Sequence, residues 1–408
     1  MRMQFLTITA IRENEERASH NCKNIIYLLL MKKPLSWLIL ALLTLINLSA
    51  SPMLVFVGTY TLTTSKGIYA LKFDPTNGSF SEPWLASVAQ NPTFLAFDST
   101  KKHIYASGEL KLPDVKPALG GITAYSVDAA SGMLTFINQE ATGSGATTHL
   151  TVDATDHMVI ACNYSAAYEC SLPILPNGSL GPRTSFIPHI GTLGPNKDRQ
   201  NQAHAHSVTT SPDNRFVMCC DLGTDQIIIN EIHPETATLT PHTPSYASAP
   251  AGVGPRHSKF SADAKFFYVS NEMGGSVSTF SYDADIGSLK FLAIDSTLPE
   301  DFKAINTVAE VRIHPNGKFI YVSNRGHDSI AVFSRNPDTG LLKRLQIIGC
   351  EGKHPRNFNI TSDGKWLLVA NRDTNNIASF SIDTDTGLLK ASGHSTTVAQ
   401  PVCIVFYN

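Results

Sequence analysis

Seven times along this 408-residue chain one phrase returns: an alternating strand, then Asp, a turn, Gly, and Leu or Phe. "GIYALKFDPTNGSF", "VSTFSYDADIGSL" and "IASFSIDTDTGLL" are examples. Each follows a second phrase, a strand-like segment that turns near Asp-Gly and ends in an apolar run with Asn or Asp. That phrase is clearest in "VTTSPDNRFVMCCD" (208–221), "KFSADAKFFYVSNE" (259–272), "VRIHPNGKFIYVSNR" (311–325) and "NITSDGKWLLVANR" (359–372). Looser forms are "LAFDSTKKHIYASGE" (95–109) and "LTVDATDHMVIACNY" (150–164). Period-two alternation marks strands, and the Asp/Asn/Gly clusters are hairpin turns. Copies are spaced by roughly 46 to 59 residues.

Four short antiparallel strands per copy, repeated seven times, predict an all-β protein, a seven-bladed β-propeller. The ends fit together. "QPVCIVFYN" at the close matches only a first strand, and "MLVFVGTYT" near the front matches only a second. One blade is therefore expected to be shared between N- and C-terminal strands, leaving no open edge in the ring. Nothing interrupts the series, so residues 52–408 read as one domain.

The front of the chain differs. Residues 31–51 begin at Met31 with Lys32-Lys33, continue through an apolar run and reach small residues at Ser49, Ala50 and Ser51. That is the layout of a secretory signal peptide, and the run is short for a membrane span of about 20 residues. The expectation is a leader removed near Ser51 and a periplasmic or secreted product without membrane attachment. A retained anchor or a cytoplasmic protein is the alternative. Residues 1–30 carry no pattern and read as an upstream extension from a misplaced start at Met1.

Charged residues make up 16% of the chain and the net charge is −2, which excludes a nucleic-acid footprint. Of seven cysteines, six follow the leader, none with metal-type C-x2-C spacing. Cys219 and Cys220 sit in an apolar strand and must face opposite ways. Cys162 and Cys170 flank a hairpin turn and could approach each other; export would permit a bridge. Buried thiols without a role are the plainer reading for all six.

In a propeller the first strand of each blade lines the channel and the second runs back. The start of one and the end of the other share a face of the disc. Counting through the repeats puts Tyr60, Glu109, Tyr164, Asp221, Glu272, Arg325 and Arg372 at the ends of second strands. Phe94, His149, His206, His257, Glu310 and Asn357 fall at the starts of first strands, with Arg256 and Arg356 just ahead of two of them. An architectural position could repeat one residue type, yet these vary among acids, bases and aromatics. Titratable groups converging on a concavity are the default site; ion pairs filling a wet channel are the competing explanation.

From this set, His206, Arg256, Glu272 and Arg325 are the candidates for chemistry. His149, His204, Asp221, His257, Glu310, Arg356 and Arg372 are the candidates for substrate contact. His204 and His206 lie two apart and so face one way on a strand. They could hold a metal, but zinc takes three or four ligands and no third is specified. Asp225, His327 and Asp328 read as turn residues. No nucleophile elbow, phosphate loop or dinucleotide fingerprint stands out, so neither serine chemistry nor a nucleotide cofactor is expected.

Together, "VGTYT", "NPTFLAF", "HAHSV", "DLGTDQI", "GPRHSKFS", "YVSNE", "YVSNRGHDSIAVF", "HPRNFNI" and "QPVCIVF" resemble the seven-bladed propeller lactonase family over residues 54–408. That family contains bacterial 6-phosphogluconolactonases and fungal carboxymuconate lactonizing enzymes. The resemblance implies a site of one His, two Arg and one Glu at the channel mouth, matching His206, Arg256, Glu272 and Arg325. It implies a cofactor-free lactone hydrolase acting on a small-molecule lactone, expected to work as a monomer. His206 or Glu272 would be the base and Arg256 and Arg325 the anion clamp, supplied by separate blades. A muconate-type cycloisomerase and a non-catalytic periplasmic binding propeller are the alternatives. The leader sets this chain apart from the cytosolic sugar-phosphate enzymes.

Overall fold

The computed structural model describes residues 51–110 and 119–407. The leader-like stretch and residues 1–30 lie outside the described residues. The described chain is almost wholly strand and turn, in seven antiparallel sheets. Blades 1 to 6 follow the chain, with first strands Phe94–Phe97, Thr147–Val152, Ala205–Thr210, Pro255–Phe260, Thr307–Ile313 and Pro355–Ile360. Blade 7 takes Pro401–Phe406 as its first strand and Met53–Thr59 as its second. First strands touch their neighbours all the way round, including Pro401–Phe406 against Phe94–Phe97. The propeller and its shared blade are therefore as the repeat predicts.

Second strands are buried on both faces, which is why they read as continuous apolar runs. Phe216–Asp221 is buried at every position. Its odd and even residues serve different neighbours: Val217 and Cys219 pack on Ile160 and Cys162 of blade 2, while Phe216, Met218 and Cys220 pack on Phe267 and Val269 of blade 4. Cys219 and Cys220 thus face opposite ways, as alternation requires. The same rule removes the Cys162–Cys170 approach. Cys162 pairs across the hairpin with Glu169, and Cys170 with Ala161. The two thiols lie on opposite faces of the sheet, and all six described cysteines are free.

In blades 2, 5 and 6 the Asn that ends the second strand is an inter-blade staple. Asn163 Nδ2 donates to Ser144 O and Ala146 O, Asn324 Nδ2 to Thr297 O, and Asn371 Nδ2 to Cys350 O. Each acceptor lies just past the outer edge of the preceding blade. A buried amide satisfies carbonyls that would otherwise be orphaned, which explains why the type repeats.

Deleting residues 401–408 removes a first strand whose Val402, Cys403 and Ile404 are fully buried. At about 1.5–3 kcal/mol for each buried aliphatic side chain, the loss approaches the whole stability of a typical domain. The expected result is loss of one cooperative thermal transition for the entire ring. An unchanged melting temperature would contradict the shared blade.

Candidate active site

Most first strands begin with a bulge, and the bulge decides which side chains reach the channel mouth. Pro255 pairs with Asn271 and His257 with Ser270, so Arg256 is the extra residue. His206 and Arg356 occupy the same place between Ala205 and Ser207 and between Pro355 and Asn357. A bulge re-aims its side chain and lets neighbouring residues serve one site, so Arg256 and His257 line the same cleft.

This register corrects two alignments. His206 shares its row with Arg256 and Arg356, whereas His149 and His257 stand one place further along. Asp221 pairs with Ala205 as Asn271 pairs with Pro255. It is therefore the staple residue of blade 3, and Leu222 holds the place of Glu272. Asp221 accepts from the backbone N–H groups of His204, Gly223 and Thr224 and contacts His189 at 2.7 Å. Its carboxylate is spent inside the blade interface.

The mouth is organised around Glu272. One of its oxygens receives Arg256 Nε at 2.9 Å and Arg325 Nη2 at 2.9 Å, and the other receives Arg199 Nη2. Arg325 also donates from Nε to Thr307 O and from Nη2 to Val308 O. The acceptor and clamp expected on separate blades are in direct contact. Burial alone would raise the Glu272 carboxyl, but Arg325 and Arg256 outweigh it and hold it well below the usual carboxylate range.

Arg256 is 1% exposed, and its Nη1 has no partner among the described residues. Arg356 makes no ion pair there; its guanidinium lies over the Tyr60 ring at 5.4 Å. His206 Nε2 stands 3.9 Å from Glu272 Oε2, beyond hydrogen-bond reach. Burial, reinforced by Arg256, pushes the imidazole well below its ordinary value and keeps it neutral. The open cleft is lined by Tyr60, Asn91, Glu109, His206, Arg256, His257 and Arg356, among others.

The remaining candidates surround this core. His257 Nδ1 contacts Glu310 at 3.0 Å, and Asn357 donates to the same carboxylate. His149 lies against Phe94 and His257. His204 stacks on Tyr164 at 4.2 Å and does not line the cleft. Arg372 pairs with Asp373 at 2.6 Å, half-buried at the rim. Asp225, His327 and Asp328 do hold turns: Asp225 caps Gly252 and Gly254, His327 contacts Ser329, and Asp328 accepts from Gly326. Arg199 was not legible, because it reaches Glu272 from a long loop with no repeat to count by. Glu109, by contrast, sits where the repeats place it, held by Asn91 Nδ2 at 3.1 Å.

Fold and mouth together define a class: a closed seven-bladed propeller with a buried arginine–carboxylate cluster and a neutral histidine at one end of its channel. Residues 54–406 match the family model described as "Lactonase, 7-bladed beta-propeller", and the chain belongs to that family. A 6-phosphogluconolactonase of Bacillus subtilis (strain 168) is 33% identical over 303 residues, 74% of this chain and 83% of the relative. A Bacteroides fragilis structure provisionally named a 6-phosphogluconolactonase is 33% identical with a TM-score of 0.81, covering 88% of this chain and 99% of the other. The periplasmic gluconolactonase structure of Pseudomonas aeruginosa is 29% identical with a TM-score of 0.81, covering 87% and 99%.

Proposed function

We propose that this protein hydrolyses a sugar-acid lactone, acting outside the cytoplasm. The observation that carries the reading is the pairing of an unsatisfied Arg256 Nη1 with the neutral, unbonded Nε2 of His206 at one cleft. His206 Nε2 takes a proton from water as its oxygen attacks the ring carbonyl, a role worth about 10²–10⁴-fold. Arg256 Nη1 receives the developing oxyanion. Collapse breaks the ring C–O bond, and the imidazolium returns its proton to the departing alkoxide, giving the hydroxy acid. Arg356, without a carboxylate partner among the described residues, holds an anionic or polar substituent. Glu272, already bound by three guanidiniums, is a poor base and serves to position Arg256 and Arg325.

Export is supported by the leader-like segment and by likeness to a protein named periplasmic. On that reading the substrate is an unphosphorylated lactone of the gluconolactone type. Assaying the purified protein with glucono-lactone, its 6-phosphate and a carboxymuconate separates the readings. Preferential hydrolysis of the unphosphorylated lactone is expected. Turnover of the muconate alone would replace hydrolysis with cycloisomerisation, and no turnover would leave a binding propeller.

The active form of His206 is unprotonated and its pKa is lowered. The kcat/KM for the lactone should therefore hold steady as pH falls through the ordinary imidazole value of about 6.5, and decline only below it. An acid limb at or above that value would point to a different base.

A further inference from the structure

We propose that Glu169, His189 and Cys219 form a site for one divalent transition-metal ion of the zinc type, between blades 2 and 3. Their donor atoms, an oxygen, a nitrogen and a sulfur, all lie within 4.8 Å of one another, and all three residues are buried. These are the ligand types zinc takes, with bonds of about 2.0–2.3 Å. His189 Nε2 and Glu169 Oε1 are already 3.0 Å apart, close to the separation of neighbouring ligands on a tetrahedral ion.

Further observations point to a ligand. Glu169 Oε2 is buried with no hydrogen-bond partner among the described residues, a costly state for a carboxylate oxygen. A metal ion would satisfy it. His189 Nδ1 is fixed by Asp221 Oδ2 at 2.7 Å, the carboxylate–histidine arrangement that aims the other ring nitrogen at a metal. Asn230 Nδ2 steadies Glu169 from behind at 3.0 Å. The place also carries an acid where other blades carry a neutral residue. Blades 2, 5 and 6 staple to the preceding blade with a neutral Asn on backbone carbonyls. Blade 3 uses Asp221, and its partner is the His189 side chain.

The charges balance. Without metal, both ring nitrogens of His189 face carboxylates, so the ring is an imidazolium. On metal entry the His189 Nε2 proton and the Cys219 thiol proton leave, and two positive charges replace them. A water completes the coordination as the fourth ligand. His189 opens the loop that carries Arg199 to Glu272, and the next residue, Ile190, is exposed. The ion would enter there and anchor the base of that loop. The donors at 169, 189 and 219 come from three elements, so no local spacing reveals them.

The test uses the full purified protein, stripped with a chelator and reloaded with Zn²⁺ or Co²⁺. Expected are one retained metal per chain by elemental analysis and a thiolate-to-cobalt charge-transfer band in the Co²⁺ form. Cys219→Ala should lose that band and weaken binding by at least the 10–100-fold seen for lesser ligand-shell changes. Asp221→Asn should weaken binding within that range while keeping the band. No stoichiometric metal in the wild type overturns the site. So does a band that survives in Cys219→Ala, or metal binding lost in His206→Gln but not in Cys219→Ala. If Cys219→Ala does not fold, X-ray absorption on the wild-type Co²⁺ form decides: sulfur beside N/O ligands supports the site, and N/O ligands alone overturn it.

Discussion

His206→Gln will lower kcat/KM for the lactone by on the order of 10²–10⁴-fold, the range of a lost general base, while the fold stays intact. The His206 side chain packs edge-on to Tyr164 and His257 but makes no hydrogen bond among the described residues. Its Nδ1 has no partner among the described residues, and its Nε2 stops 3.9 Å short of Glu272. Gln keeps most of the volume, so the cavity cost is small. It cannot accept a proton at neutral pH. Kinetics and melting temperature measured on one preparation give the result. A large fall in melting temperature with normal turnover in the remaining folded protein would make His206 architectural.

Glu272→Gln will act in the opposite proportion, striking stability first. The carboxylate is the shared partner of Arg199, Arg256 and Arg325. Removing one member of a buried pair strands an uncompensated charge, at about 3–5 kcal/mol. Arg256 is the residue stranded, since it is fully buried and has no other carboxylate within ion-pair distance among the described residues. At roughly 2 °C per kcal/mol for a domain of this size, the melting temperature should fall by about 6–10 °C. Turnover should fall too, because Arg256 loses its anchor. Arg199→Ala is the control: its side chain is 38% exposed, and an exposed pair contributes about 1 kcal/mol or less. Equal melting temperatures for Glu272→Gln and wild type would mean that the ion cluster does not brace the mouth.

The architecture was legible because each blade repeats its own chemistry. Alternation gave the strands, Asp/Asn/Gly the turns, and the mismatched ends the shared blade. Counting repeats also brought His206, Arg256, Glu272 and Arg325 to one mouth, which is where the structure places them. The finer register was not legible. A bulge inserts one residue without any composition signal, so His206 was aligned with His257 instead of Arg256. Asp221 was misplaced for a related reason: an acid at a staple position looks like an acid at a mouth position until strand pairing is known. Direct contact between Glu272 and Arg325 depends on side-chain reach across two blades, and Arg199 on the path of a loop. Neither has a periodicity to read.

In the proposed reaction this mouth hydrolyses a lactone with His206 as base. Its most direct test is the rate of gluconolactone hydrolysis by wild type and by His206→Gln, each compared with the spontaneous rate at the same pH. Wild-type turnover far above the spontaneous rate, and its near-complete loss in the variant, are expected. Equal rates for both proteins, whether at the spontaneous level or well above it, would contradict it.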